Sequence, residues 1–216
     1  MKISTIVALA SVLVLSGCAN KKASYDYSAF LASKPASIVV LPAKNSSPDI
    51  HAAHSLVSVV TTPLAESGYY VFPVAVVDKT FEQNGLSSAA DAQAVSSAKL
   101  HEIFNADAAL YVDVHEYGTK YMLIDSVTRV SATARLVDLR SGKQIWSGAG
   151  IASDADNNSS SGVVSILVTA AIKQISSNIT DKSHDIAVIT AANMLTADGA
   201  DGSILPGPRA GLKTTK

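Results

Sequence analysis

Two histidines three residues apart, His51 and His54, are the first residues whose spacing allows chemistry. On a helix, side chains three residues apart share one face, so this pair is able to hold a metal ion. A zinc-protease motif needs a four-residue spacing and a glutamate base, and both are missing here. We therefore expect surface histidines in the first turn of a helix, with metal binding as the alternative and no bound cofactor.

His115 and Glu116 form a candidate acid–base pair near the end of a predicted strand. Such a pair transfers protons only beside a reacting group. No G-x-S-x-G segment provides a nucleophile to partner it. We therefore expect a structural role for both residues and predict no catalytic residues in the chain.

Two further motifs resemble ligand-binding loops without completing them. The loop from Asp154 starts like a calcium loop, but Ser159 and Ser165 stand where glycine and glutamate are required. The segment 148–150 has two glycines but lacks the third glycine and the strand-to-helix setting of a nucleotide-binding turn. These patterns favour a solvated loop and a closely packed strand.

Trp146, the single tryptophan, is expected to be a buried anchor, with a partner-docking role as the alternative.

The amino terminus carries the most specific motif. Lys2 precedes an apolar run, Ile3 to Leu15, that is too short to span a bilayer of about 30 Å. The four residues that follow the pattern of a bacterial lipobox are Leu15, Ser16, Gly17 and Cys18. We therefore predict a lipoprotein signal peptide at residues 1–17 and attachment of lipid to Cys18, the only cysteine. The alternative is an ordinary secretory signal with a chance cysteine.

The residue after the cysteine bears on the destination of the lipoprotein. Asp at this position retains bacterial lipoproteins in the inner membrane, and this chain resembles the exported class because it has Ala19. Several acyl chains make an anchor effectively permanent. We expect a lipid-anchored protein on the periplasmic face of the outer membrane.

Composition excludes one class of partner. The 216 residues are 48% hydrophobic and 16% charged, with a formal net charge of −1. This is enough apolar material for a sizeable core. Nucleic-acid binding depends on clustered Lys and Arg, and the sequence has no such cluster, so we expect no nucleic-acid partner.

The periodicity of apolar residues predicts an α/β domain at residues 37–198 with a mixed β-sheet and packed helices. A helix is expected to begin at a Ser47 cap. Pro63 is expected to kink or end this helix near Thr61, and Gly68 is expected to stop it. Strands are expected at 37–42, 69–74, 108–116, 124–139 and 144–152, a turn at 118–120, an irregular segment at 78–86, and helices from a capping box at Ser88, over 163–179 and around 186–194.

The segments flanking this domain are polar or rich in small residues. Residues 18–36 are expected to form a lipidated tether, although Tyr25, Tyr27, Phe30 and Leu31 are able to fold back on the domain. Residues 199–216 are rich in glycine and proline and are expected to be a flexible tail.

Several of these segments together resemble a known family. The segments are Ile38–Pro42, Asn45–Pro48, Pro63–Val74, Phe104–Tyr111, Val137–Trp146 and Leu205–Pro208. They resemble bacterial outer-membrane lipoproteins of unknown function that are related to the curli-secretion lipoprotein CsgG and to the N-terminal domain of TolB. The resemblance covers most of residues 37–208. It implies a fold like that TolB domain and a place in envelope assemblies with a CsgG-like partner, and it supplies no catalytic residues.

The leading functional hypothesis is therefore a non-enzymatic envelope lipoprotein that acts through protein–protein contacts. One alternative is an oligomeric export-pore component of the CsgG type built from the hairpin 124–152, although Arg129, Arg135 and the lack of aromatic girdles argue against it. The other is a periplasmic module that binds a small ligand or metal through His115, Glu116 or the histidine pair. The partner, the oligomeric state and the process served are left open by the sequence, and a homo-oligomer is compatible with it.

Overall fold

The computed structural model describes residues 24–121, 126–156 and 182–211. The strands are β1 Ser37–Val40, β2 Lys44–Asn45, β3 Tyr70–Val71, β4 Ala108–Tyr121, β5 Ser126–Asp138 and β6 Gln144–Ser153. The helices are α1 Ser28–Ser33, α2 Ala52–Glu66, α3 Val74–Gln83, α4 Ala89–Ala94, α5 Ser97–Phe104 and α6 Lys182–Leu195. The predicted signal peptide, Cys18 and the predicted helix 163–179 lie outside these residues.

The strands form one mixed sheet in the order β3-β1-β4-β5-β6, with β2 paired to β4 beyond the end of β1. The pairs β1–β3, β1–β4 and β2–β4 are parallel, whereas β4–β5 and β5–β6 are antiparallel. The predicted mixed sheet with packed helices is confirmed. The antiparallel half follows from short connections, which join neighbouring antiparallel strands, while the parallel half needs helical crossovers.

Helices cover the two faces of the sheet unequally. On one face, α2 and α6 pack on the central strands and bury a large cluster that includes Leu56, Leu110 and Trp146. On the other face, α3, α4 and α5 bury a smaller cluster, which includes Val39, Phe81 and Tyr111. Among the described residues no helix is long and apolar enough to cross a lipid bilayer.

The expected start of α2 is wrong, and so is an end of the helix before Pro63. The helix starts at Ala52 rather than at Ser47, and its N-cap residue is His51, which makes no side-chain capping bond. The side chain of Asn45 instead accepts from the backbone N–H of Ser47 at 2.9 Å and donates to the carbonyl of Asp49 at 2.7 Å, which holds the loop in a non-helical turn. Pro63 does not end the helix, which continues to Glu66, and the side chain of Pro63 is buried. Gly68 does follow the helix end, at φ +94°.

The segments between α2 and β5 also differ from the prediction. The strand predicted at 69–74 is only two residues long, and the segment predicted as irregular is α3. The capping box is confirmed, because Ser88 accepts a hydrogen bond from the backbone N–H of Asp91, but the helix breaks into α4 and α5. The turn predicted at 118–120 is wrong, since these residues belong to β4 and pair with β5.

Both ends of the described chain pack against the domain. Phe30 in α1 is only 4% exposed, in line with the possibility that this segment folds back. At the other end Ile204 is 1% exposed, and the backbone N–H of Gly207 donates to the carbonyl of Ser67 at 2.8 Å. Tyr27 joins the two ends by donating to the carbonyl of Ser203 at 2.7 Å. Residues 199–211 therefore differ from the flexible tail that was expected, because one apolar side chain and several backbone groups fix them.

Candidate interaction surface

The antiparallel half of the sheet has one face without a covering helix among the described residues. Side chains alternate across a strand, so the residues between those buried under α2 and α6 point to this opposite side. Asp113 and Arg135 are half-buried there, and Ile151 is 52% exposed. We call this surface the open face, and it consists of Asp113, His115, Thr133, Arg135, Ser147, Ala149 and Ile151.

A shallow cleft of about 330 Å³ lies on the open face, with Asp113, Thr133, Arg135, Gln144 and Ser147 along it. The guanidinium carbon of Arg135 lies 3.7 Å from the ring centroid of Tyr111. Tyr111 pairs with Arg135 across β4 and β5, so the register places the cation on the ring. This contact fixes the arginine, since a guanidinium group is attracted to the face of an aromatic ring.

The predicted acid–base pair does not assemble. His115 Nε2 lies 2.8 Å from the hydroxyl of Thr133, whereas Glu116 forms ion pairs with Lys120 at 2.6 Å and with Arg129 at 2.9 Å. The hydrogen bond from Lys120, with the nearby Arg129, holds the pKa of Glu116 below its usual value. The carboxylate is therefore ionised at neutral pH and has no proton to donate.

The histidine pair lies on the surface. His51 precedes α2 and His54 lies in its first turn, and both are exposed. Within the described parts of the chain, no three His, Cys, Asp or Glu side chains gather in a geometry able to hold a metal ion.

Asp154, the first residue of the incomplete calcium motif, contacts other parts of the domain. One carboxylate oxygen accepts from the backbone N–H of Thr128 at 2.9 Å, and the other forms an ion pair with Lys182. These contacts join the end of β6 to β5 and to the start of α6. Ser159 and Ser165 lie outside the described residues.

The small residues of β6 permit close packing, as predicted. A Cβ atom on Gly150 would lie 2.5 Å from the carbonyl oxygen of Thr190 in α6, and one on Gly148 would lie 2.4 Å from the ring of Trp146. Trp146 is 1% exposed and donates from Nε1 to the carbonyl of Gly202 at 3.0 Å. The expectation of a buried anchor is confirmed.

A partly buried row of three hydrogen-bonded side chains, Tyr117, Ser55 and His184, was not found from the sequence. The hydroxyl of Tyr117 donates to Ser55 Oγ at 2.6 Å, and Ser55 Oγ lies 2.8 Å from His184 Nδ1. The three residues come from β4, α2 and α6, so no local pattern could reveal them. Ser55 lies inside α2, where helix hydrogen bonds occupy the backbone N–H groups, and α2 therefore provides no oxyanion hole at this serine. We interpret these three hydrogen-bonded side chains as a polar link between the two helices and the sheet.

Comparison with known proteins gives the family. The family described as "Putative lipoprotein GNA1162-like" matches residues 25–209. The "Putative lipoprotein NMB1124/NMB1162" of Neisseria meningitidis serogroup B (strain ATCC BAA-335 / MC58) is 50% identical over 205 residues, which is 94% of this chain and 95% of the relative.

One solved structure agrees with this match. The crystal structure of lipoprotein GNA1162 from Neisseria meningitidis is 52% identical, with a TM-score of 0.55 over 67% of this chain and 100% of that one. A weaker similarity, at 19% identity and a TM-score of 0.41, is to the LpoB C-terminal domain from Salmonella enterica, over 55% of this chain and 84% of that one. The chain belongs to the GNA1162-like lipoprotein family.

Proposed function

We propose that this chain is a non-enzymatic outer-membrane lipoprotein, anchored through Cys18, that acts through protein–protein contacts made by the open face. The observation that carries the proposal is the unequal covering of the sheet. Among the described residues, the antiparallel half is closed on one side by α2 and α6 and presents polar and apolar side chains on the other. An exposed surface that mixes apolar side chains with fixed charges suits recognition of another protein.

The anchor places this surface close to the membrane. Tyr25 packs at the outer edge of β6, where its hydroxyl accepts a hydrogen bond from the backbone N–H of Ser147 at 3.0 Å. Tyr25 is seven residue steps beyond Cys18, and a fully extended chain of seven steps spans about 25 Å at most. A lipid on Cys18 thus holds the edge of β6 within reach of proteins in the same membrane, which raises their effective concentration.

Site-specific photocrosslinking in intact cells tests the proposal. A photoreactive residue in place of Ile151 probes the open face, and one in place of Val76 on α3, which is 59% exposed, is the matched control. We expect discrete crosslinked protein bands from position 151 that are weak or missing from position 76. Equal labelling from both positions, or crosslinks from neither, would argue against a contact at the open face.

The sequence resemblance to relatives of CsgG supports a partner of that kind and leaves an oligomeric export component as the alternative function. The two are separable by measurement. Conductance of the purified protein in planar bilayers supports the export role, whereas a monomer without conductance supports the contact role.

A further inference from the structure

The cleft on the open face combines hydrogen-bond donors with one acceptor. Arg135, Gln144 and the hydroxyls of Thr133 and Ser147 can all donate, and Asp113 supplies a carboxylate. In the described part of the chain, neither Arg135 nor Asp113 forms an ion pair with another residue. A surface that offers both charges without neutralising them is complementary to a ligand that carries an anion next to an N–H donor.

Arg135 differs from the paired arginines of the domain. Arg129 forms an ion pair with Glu116 at 2.9 Å, and Arg140 forms one with Asp138 at 3.5 Å. The guanidinium of Arg135 instead lies over the ring of Tyr111, which is itself only 4% exposed. An arginine that contacts an aromatic ring through the face of its guanidinium keeps the N–H donors at the edge, and these match the two oxygens of a carboxylate.

The sheet register places Asp113 on the neighbouring rung. Asp113 pairs with Thr133 and Tyr111 pairs with Arg135, so the carboxylate and the guanidinium lie diagonally on the same face. Diagonal neighbours on a sheet are about 7 Å apart at the backbone. A ligand long enough to reach both side chains would present its carboxylate to Arg135 and an N–H donor to Asp113.

We propose that this cleft binds the free carboxyl terminus of a partner polypeptide. Arg135 holds the terminal carboxylate through paired hydrogen bonds, and Asp113 accepts from a backbone N–H near that end. The inference rests on the proposed function, because it names the chemistry by which the open face would recognise its partner.

Binding of a defined peptide to the full chain, purified in detergent, tests this chemistry. The probe is N-acetyl-trialanine as the free acid, with the carboxamide form as its control, measured by titration calorimetry. We expect the acid to bind at least about tenfold more tightly than the amide, since charge-assisted hydrogen bonds are the stronger kind. Failure of the acid to bind at millimolar concentration, or equal affinity of both forms, would overturn the proposal.

Variants assign the binding to the cleft. Arg135→Gln should weaken binding of the acid about tenfold. Arg209→Gln alters another arginine near an aromatic ring, 5.9 Å from the Tyr70 centroid, and should leave the affinity unchanged. Arg135→Lys keeps a cation over Tyr111 and serves if the glutamine variant does not fold. Equal losses in the Arg135 and Arg209 variants would contradict the assignment.

Asp113→Ala separates the two halves of the site. It should weaken the acetylated peptide acid but leave acetate binding unchanged or stronger, because acetate has no N–H group and is repelled by the carboxylate. Weaker binding of acetate would contradict the role given to Asp113. Crosslinking from position 151 that persists in a chain whose cleft does not bind the peptide would refute this inference alone and leave the proposed function standing.

Discussion

Replacement of Gly150 by alanine would push a methyl group into α6. The new Cβ atom would lie 2.5 Å from the carbonyl oxygen of Thr190 and 2.8 Å from Cβ of Met194. Neither atom is the end of a flexible side chain, so relief of the clash requires the helix to move away from β6. Overpacking of this kind costs about 1–3 kcal/mol. The lower entropy of alanine in the unfolded chain offsets about 0.4–1 kcal/mol of this cost, so the midpoints of the two ranges leave a net loss of about 1.3 kcal/mol.

Urea unfolding of the chain with Cys18→Ser, which removes the proposed lipid site, measures this loss. Trp146 is the only tryptophan and is 1% exposed, so its fluorescence reports the packing between the sheet and α6. Gly211→Ala is the matched control, because nothing lies within 4 Å of its added Cβ, and it should change the free energy of unfolding by less than about 0.5 kcal/mol. A Gly150→Ala chain as stable as this control would refute the close contact between β6 and α6.

Three further predictions concern the packing of Ile204, the ionisation of Asp107 and the sorting signal at Ala19. Ile204→Ala should lower the free energy of unfolding by about 2–5 kcal/mol in the same urea titration, since the side chain is buried; an unchanged midpoint would mean that the segment does not pack. Burial alone would raise the pKa of Asp107, but hydrogen bonds from Ala36 and Ser37, with the nearby Arg140, hold it below the usual value. Asp107 therefore stabilises the fold fully above its unfolded pKa of about 3.9, and this stabilisation is lost as the pH falls through the pKa of the folded state. Asp107→Asn should flatten the decline of the free energy of unfolding at acidic pH. Parallel plots of this free energy against pH for the two forms would contradict the prediction. Ala19→Asp should move the protein from outer-membrane to inner-membrane fractions on a sucrose gradient, and an unchanged distribution would contradict the sorting expected from Ala19.

The elements that were predicted correctly are those in which the order of apolar, polar and small residues reflects which side chains are buried. Val130, Ala132, Ala134 and Leu136 are buried under α2 and α6, and the residues between them face away, so the period of two gives β5 directly. The glycines of β6 were interpreted correctly as close-packing positions for the same reason, since strand glycines mark close approach of other atoms.

The elements that were missed depend on contacts that a local pattern does not encode. Ser47 has the residue type of a helix cap, but its backbone N–H donates to the side chain of Asn45 in a non-helical turn, and the helix begins at Ala52. The chain Tyr117–Ser55–His184 joins residues 62 and 129 positions apart. The cleft depends in the same way on the register between β4 and β5, which places Arg135 on Tyr111, and the sequence predicts the hairpin without that register.

The anchor at Cys18 is the claim on which the location and the choice of partners depend, and metabolic labelling with palmitate tests it most directly. Cells that express the full chain should incorporate label into the protein, and the Cys18→Ser form should carry none and leave the membrane fraction. Equal behaviour of the two forms, or an unlabelled wild-type protein, would contradict a lipid-anchored function.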